Sequence, residues 1–368
     1  MKFLFIDSTD DFPNGYSAGN TKFRLLAEGF ESRGYKSLFI NRLKGDTKTG
    51  NSHYTSISSF ISVFTYNKKK YNIFFVYKIL KKFKENDELY ILTSYPKWSN
   101  LLIIKFISLL LNAKICYVFH EWHIAISNQS FLSKLRALLF DSFAGHFFDY
   151  IFPISFFLET KSKKFRKPMF ILPILGRFEK TDEILSDFNY YLYCGHAGYF
   201  RAFKIIIDTM FKFKKKMILI LYGPQNDKQI VYEYIKSKKA ENYIEIKESI
   251  SDKDLLKLYR KAIALLAPLD EKSLQDRARF SQKIAEYLMA QRPIITVDTG
   301  DIPYYFTHGK NAYILKTLSV EQLGGVLQQI EMDMDEANRI GLAGFEVGEK
   351  EFDYKEVSKK LCAFLTKK

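Results

Sequence analysis

Short apolar runs alternate with helix-length amphipathic stretches along most of this 368-residue chain. That alternation restricts the fold more than any other feature. The chain opens on a strand pattern, Phe3 to Ile6, then a Gly/Ser/Asn-rich loop from Asn14 to Asn20, then a helical pattern from Thr21 to Ser32. Arg33-Gly34-Tyr35 closes the helix, and Ser37 to Ile40 reads as the next strand. Strand, glycine loop, helix, strand is how a doubly wound α/β unit begins. Further strands are expected at Glu88–Thr93, Lys114–Phe119 and Tyr150–Pro153. The pattern lapses between Phe170 and Phe188, around Pro173 and Gly176, and then starts again. Strands are expected at Tyr190–Cys194, Met217–Tyr222, Tyr243–Ile246, Ile263–Pro268 and Pro293–Val297. Between them lie helical patterns at Lys204–Phe213, Ile230–Lys238 and Ser281–Ala290, and one capped by Ser251 that runs to Lys261. The fold class is therefore α/β, with two Rossmann-like doubly wound domains in series. Their expected bounds are 1–175 and 185–349, with a C-terminal helix, 350–368, packing back on the first.

With 47% apolar residues the chain can build two sizeable cores, and disorder is excluded as its main state. The three cysteines, Cys116, Cys194 and Cys362, are far apart and show no C-x-x-C spacing. They fit a reducing compartment rather than a disulfide framework or a structural zinc. The apolar run after Met1 is too short for a signal-peptide core. The most hydrophobic stretch, Leu101 to Phe119, is interrupted by Lys105, Asn112 and Lys114, so it reads as a buried helix followed by a buried strand. A cytoplasmic protein without a spanning helix is the expectation.

Charge is distributed unevenly. Residues 1–180 carry 27 basic and 14 acidic side chains, a net of +13, out of +15 for the whole chain. Such a one-sided basic surface points to a polyanionic neighbour. Between Phe131 and Phe148, basic residues (Lys134, Arg136) mix with an apolar face (Leu135, Leu138, Leu139, Phe143). A core helix and peripheral docking on an anionic inner membrane face are both compatible with that pattern. No nucleic-acid-binding motif accompanies the charge, so no nucleic-acid partner is expected.

Several segments of the second half stand in one recognisable order. Cys194-Gly195 with Arg201-Ala202, Leu221-Tyr222-Gly223-Pro224, and Ile250 through Ala262 are followed by Phe280 through Ile295, Thr299-Gly300-Asp301-Ile302-Pro303, and Gly309-Lys310-Asn311-Ala312. From about Tyr190 to Leu315 the chain resembles glycosyltransferase family 4, whose members have the GT-B fold, two Rossmann-like domains facing a central cleft. The first half is similar more loosely. Ala18-Gly19 opens a helix as the family's first glycine loop does, and His120-Glu121-Trp122-His123 follows a strand where the family has a His-and-acid motif. The tail from Phe352 to Val357 resembles the family's final helix.

The resemblance implies transfer of a sugar, with retention, from a UDP- or GDP-linked donor to a glycan or lipid-linked acceptor in surface polysaccharide or glycoconjugate synthesis, with no metal or other cofactor. It implies donor-side roles for Gly19, Gly195, His196, Arg201, Lys204, Gly223, Ser249, Ile250, Lys283, Glu286 and Gly300, and acceptor-side catalytic roles for His120 and Glu121. Charge builds on the leaving diphosphate in such a transfer, so cations and backbone amides must be aimed at it. Lys283 and Glu286, three apart, share one helix face. By the resemblance Glu286 accepts from the donor ribose and Lys283 lies near the diphosphate; an ordinary surface pair is the plain alternative. The family's other glutamate, eight residues earlier, is here Ala278, flanked by Arg277 and Arg279, and His196 replaces a common arginine. His120 and His123 also form an H-x-x-H pair, without a third ligand at convincing spacing. Asp333-Met334-Asp335 reads as a solvated face rather than a metal motif. An epimerase or hydrolase on the same fold and a non-catalytic nucleotide-sugar-binding scaffold remain alternatives.

Overall fold

A computed structural model of the chain describes residues 1–6, 17–42, 53–66, 73–94, 98–126, 130–180, 188–248 and 250–367. The chain divides into two compact units, Met1–Leu175 with Tyr354–Lys368, and Gly176–Asp353.

The first unit runs β1 (Lys2–Ile6), α1 (Ala18–Glu31), β2 (Lys36–Arg42), β3 (His53–Ser56), β4 (Ile61–Tyr66), α2 (Ile73–Lys84), β5 (Leu89–Thr93), α3 (Trp98–Leu111), β6 (Lys114–Phe119), α4 (Phe131–Phe143), β7 (Tyr150–Pro153) and α5 (Phe156–Ser162). Its sheet has the order β3-β4-β2-β1-β5-β6-β7. All pairings are parallel except β3 with β4. The central strands are apolar on both faces, as parallel strands covered on both sides must be. The β3–β4 hairpin lies in a Ser/Thr-rich stretch to which the sequence pattern assigns no strand. Its turn is closed by Ser58 Oγ, which accepts from the Phe60 and Ile61 N–H groups at 3.2 and 2.9 Å.

Steps from β1 to β2 and on to β4 run one way along this sheet, and steps from β5 to β6 to β7 run the other. Right-handed crossovers therefore put α1 on one face and α3 and α4 on the opposite one. On the α1 face, Phe3 stacks on Phe30 at 3.6 Å and Phe5 on Phe39 at 4.4 Å. On the other, Trp98 at the start of α3 meets Phe140 of α4 edge-on at 5.7 Å. The expectation that α3 is a buried helix is corrected. Leu101, Ile104, Ile107 and Leu111 are buried, while Leu102, Ile103, Phe106, Leu109 and Leu110 on the other side are exposed.

The second unit runs β8 (Tyr191–His196), α6 (Phe200–Phe213), β9 (Met217–Tyr222), α7 (Gln225–Ser237), β10 (Ile244–Lys247), α8 (Asp252–Arg260), β11 (Leu265–Ala267), α9 (Leu274–Ala278), α10 (Gln282–Leu288), β12 (Ile294–Val297), α11 (Ile302–Tyr305), β13 (Tyr313–Leu315), α12 (Val320–Met332) and α13 (Met334–Phe352). Its sheet, β10-β9-β8-β11-β12-β13, is parallel throughout. Helix α6 starts at Phe200 rather than Lys204, and α7 at Gln225 rather than Ile230. Pro224 stands as N-cap of α7, where a missing N–H is harmless. Asp333 caps α13 by accepting from the Glu336 N–H at 2.9 Å, and both Asp333 and Asp335 are exposed.

Helix α14 (Tyr354–Thr366) returns to the first unit and lies along α1, with Val357, Leu361 and Leu365 in the core beneath it. The two helices approach most closely at Gly29. A Cβ there would stand 2.0 Å from Ser358 Oγ and 2.7 Å from the Tyr354 carbonyl oxygen, a backbone atom that cannot swing aside. In an isolated helix, Gly to Ala gains about 1 kcal/mol; here overpacking of about 1–3 kcal/mol opposes it. Gly29→Ala is therefore expected to lower the urea midpoint of the first unit. A midpoint raised by the substitution would show that α14 is not held at that distance.

Candidate functional site

In the second unit the strand order reverses between β8 and β11, since β9 and β10 lie on one side and β12 and β13 on the other. The loops leaving β8 and β11 at their C-terminal ends consequently diverge. Doubly wound sheets bind ligands in the crevice this leaves.

His196 ends β8. Its Nδ1 accepts from the Gly198 N–H at 3.1 Å, and its ring stands over Gly223 after β9. A Cβ on Gly223 would lie 2.7 Å from His196 Nε2, and the backbone there has φ +109°, so glycine is required twice over. Gly195 is as tightly placed, 2.4 Å from Tyr193 Oη to a would-be Cβ. Gly300, just after β12, has φ +57° and faces the Asp276 carbonyl oxygen at 3.1 Å. Gly223 and Gly300 let the chain turn sharply after β9 and β12, while Gly195, inside β8, leaves room for the Tyr193 hydroxyl.

Helix α10 brings the charged pair. Lys283 Nζ donates to Glu286 Oε2 at 2.6 Å, and both side chains are about three-quarters covered. Burial alone would lower the Lys283 pKa; Glu286 outweighs it and holds the ammonium well above the ordinary lysine value. Lys283 also stands over the Tyr222 ring at 5.1 Å. The Tyr222 hydroxyl is hydrogen-bonded to the Cys194 thiol, and the Cys194 N–H donates to Tyr287 Oη at 3.0 Å. The pair is thus tied to the ends of β8 and β9 through a half-buried polar network, which an ordinary surface pair is not.

Three further groups sit on these loops. Arg201, in the first turn of α6, is ion-paired with Asp270 and, at 3.7 Å, with Glu271, both after β11. Tyr199 and Arg279 are residues to which the sequence reading gave no role. Arg279 Nη1 donates to Tyr199 Oη at 2.6 Å, its guanidinium lies over that ring at 4.9 Å, and it pairs with Asp276 at 2.6 Å. An aromatic inside a glycine loop and an arginine just ahead of α10 were the available signals. Lys204 is not brought to this place: its ammonium lies over the Tyr234 ring of α7 at 5.9 Å. Ile250 sits half-buried between β10 and α8. Ser249 lies outside the described residues.

The first unit has a separate polar cluster around the end of β6. His120 packs edge-on against Phe23 at 5.6 Å, and its enclosed Nε2 has no hydrogen-bond partner among the described residues. Burial, with the charges of Lys22 and His123 nearby, pulls its pKa down to about 3, so the ring is neutral at pH 7. Lys22, buried on α1, donates to the Leu172 carbonyl at 3.2 Å, and burial lowers its pKa to about 7. Glu121 follows half-buried. His123 belongs to the interior: its Nδ1 is 2.7 Å from Asp141 Oδ1, and Asp141 Oδ2 accepts from the Ile124 N–H at 3.1 Å. Gly19 lies in the first turn of α1, which Ser17 caps by accepting from the Asn20 N–H at 3.1 Å. Among the described residues a Cβ on Gly19 would meet only Ser17 Oγ, at 3.9 Å.

Lys22 yields a pH prediction. Its folded pKa lies below the unfolded one, so between about pH 7 and 10.5 the unfolded chain holds a proton that the folded chain has released. Stability therefore rises with pH across that window, and the penalty is complete below it. Lys22→Met should stabilise the first unit by about 1–3 kcal/mol at pH 6.5 and lose most of that advantage by pH 10. Urea melts with a pH-independent gap would contradict this.

These features define the class. The protein is a mixed α/β chain of two parallel-sheet, Rossmann-like domains, and it matches GT-B glycosyltransferase structures. Residues 177–347 match the family model described as "Glycosyl transferases group 1", so the second unit carries a domain of that family. The fold is similar over 99% of the chain to sucrose-phosphate synthase from Thermosynechococcus elongatus (TM-score 0.75, 13% identity, 98% of that chain covered). It is similar over 100% to HepE of Anabaena in complex with UDP and glucose (TM-score 0.71, 15% identity, 99% covered). The pneumococcal O-GlcNAc transferase GtfA, in complex with UDP and GlcNAc, is also similar over 100% (TM-score 0.67, 12% identity, 99% covered). No curated protein matches the sequence.

Proposed function

We propose that the chain is a retaining glycosyltransferase of family 4 type, taking a sugar from a UDP- or GDP-linked donor held by the second unit. The observation that carries this reading is the Lys283–Glu286 pair, tied to the ends of β8 and β9 inside the stretch that matches the family model. HepE and GtfA, similar in fold, are in complex with UDP and a sugar, which supports a nucleotide-linked donor. Glu286 accepts from the ribose hydroxyls, and Lys283 faces the diphosphate with the amides around Gly195 and Gly300. As the bond from the anomeric carbon to the diphosphate breaks, negative charge grows on the leaving oxygen, where a fixed cation and aimed N–H groups stabilise it best. The acceptor hydroxyl forms the new bond on the same face, and its proton passes to the departing diphosphate. Charge neutralisation then needs no divalent ion. His120, neutral at pH 7, and Glu121 orient the acceptor, a glycan or lipid-linked precursor of a surface polysaccharide or glycoconjugate. Peripheral association of a cytoplasmic enzyme with an anionic membrane belongs to the same reading.

One observation favours a second reading. Ala278, where the resembled family carries its other glutamate, is 1% exposed and leaves no carboxylate at that position. A nucleotide-sugar-binding scaffold without turnover would tolerate this.

Thermal denaturation with UDP, GDP, ADP, CMP and their common sugars tests the donor site. A ligand that binds only the folded protein raises its melting temperature as its concentration passes Kd. One nucleotide series should stabilise the wild type, and Glu286→Ala should weaken that nucleotide at least ten-fold. Stabilisation by none of them removes the donor assignment. Stabilisation without sugar transfer or release favours the scaffold.

A further inference from the structure

Eleven of the 22 large apolar side chains that stand exposed among the described residues lie on only two helices, α3 and α4. The two are neighbours on one face of the first unit's sheet, joined through Trp98 and Phe140. On α3, Leu102, Phe106 and Leu109 follow the i, i+4, i+7 spacing of a single stripe, with Leu109 69% exposed, opposite the face that covers the sheet. On α4, Phe131, Leu135 and Leu138 form a second stripe, with Phe131 81% exposed. Leu139, Leu132 and Phe143 widen that stripe, and at 3.6 residues per turn Lys134 and Arg136 fall on the two borders of the widened face. Helix α2, packed beside α3, adds Lys78, Lys81 and Lys82, all exposed. The three helices contain one acidic residue, Asp141. It is buried and engaged with His123 and the Ile124 N–H.

From this arrangement we infer that the α2–α3–α4 face of the first unit is a membrane-docking surface, with α3 and α4 lying in the plane of an anionic bilayer. Fourteen residues of helix reach about 21 Å, less than the roughly 30 Å hydrocarbon core, so α3 can lie in the interface but cannot cross it. Among the described residues no helix is long and apolar enough to span a membrane. Apolar side chains at the level of the acyl chains, flanked by lysines and arginines that reach up to phosphate, are how an interfacial helix is held. A second copy of the chain fits the face poorly. A two-fold contact would press Lys134 and Arg136 against their own counterparts or against α2 lysines, and these helices offer no exposed carboxylate to neutralise them. This inference rests on the peripheral membrane association proposed above and names the surface responsible.

Vesicle flotation tests it. Wild type should float with vesicles of phosphatidylcholine containing about 30% phosphatidylglycerol, and at least ten-fold less with phosphatidylcholine alone or in 0.5 M salt, where charges are screened. Leu109→Glu with Leu135→Glu, both on exposed positions, should reduce flotation at least ten-fold. Lys134→Glu with Arg136→Glu should do the same for anionic vesicles. If the double glutamate variant fails to melt cooperatively, Leu135→Trp decides instead, with a blue-shifted emission quenched by brominated lipid expected on vesicle addition. Wild type that does not float, glutamate variants that float as well as wild type, or a tryptophan left unquenched would overturn the proposal. So would a wild-type dimer that the glutamates turn into monomer without any vesicle binding, which would assign the face to a second copy. Nucleotide stabilisation is read separately, so loss of flotation with that response intact rejects only the surface.

Discussion

A parallel sheet cannot be closed by hairpins, and both units of this protein depend on that constraint. Every strand pairing except that between β3 and β4 is parallel, so each connection must cross a face and deliver its loop to the same edge. Where the order of crossing reverses, at β8 and β11, two neighbouring loops turn away from each other and the edge opens. Gly223 and Gly300, both at positive φ, let the chain turn sharply where it leaves β9 and β12. The site is thus a consequence of topology first and of side chains second.

Side chains then decide what the opening can hold. A lone ammonium brought into a half-buried place would shed its proton more readily. Lys283 keeps its proton because Glu286 lies 2.6 Å away. In the first unit burial of Lys22 is offset by no carboxylate among the described residues, and its pKa falls instead. Two lysines of one chain therefore illustrate opposite outcomes of burial. Of the two, the paired one is held as a cation well above neutral pH.

Much of the fold was legible because buried parallel strands read as short apolar runs between helix-length patterns. Lys114–Phe119, Tyr150–Pro153 and Met217–Tyr222 have the bounds expected of them. The β3–β4 hairpin was not legible, since serines and threonines interrupt its alternation and its turn is fixed by the Ser58 side chain. Helix α3 misled for another reason: apolar residues on all sides read as burial, whereas burial is decided by the neighbours a face acquires, and one face of α3 acquires none among the described residues. In the candidate site, spacing put Lys283 and Glu286 on one helix face, and only the family resemblance distinguished them from an ordinary surface pair. The Tyr199–Arg279 contact was not, because it joins residues 80 positions apart. Likewise His123 could not be separated from His120 by sequence, since only the fold brings Asp141 to it.

The most direct measurement of the central claim is backbone hydrogen exchange of the full chain with and without a saturating nucleoside diphosphate. Protection is predicted in peptides covering the ends of β8 and β9, the start of α10 and the turn at Gly300, with α7 and α12 unchanged. Nucleotide-dependent protection that leaves those loops untouched would contradict a donor site at the β8–β11 reversal.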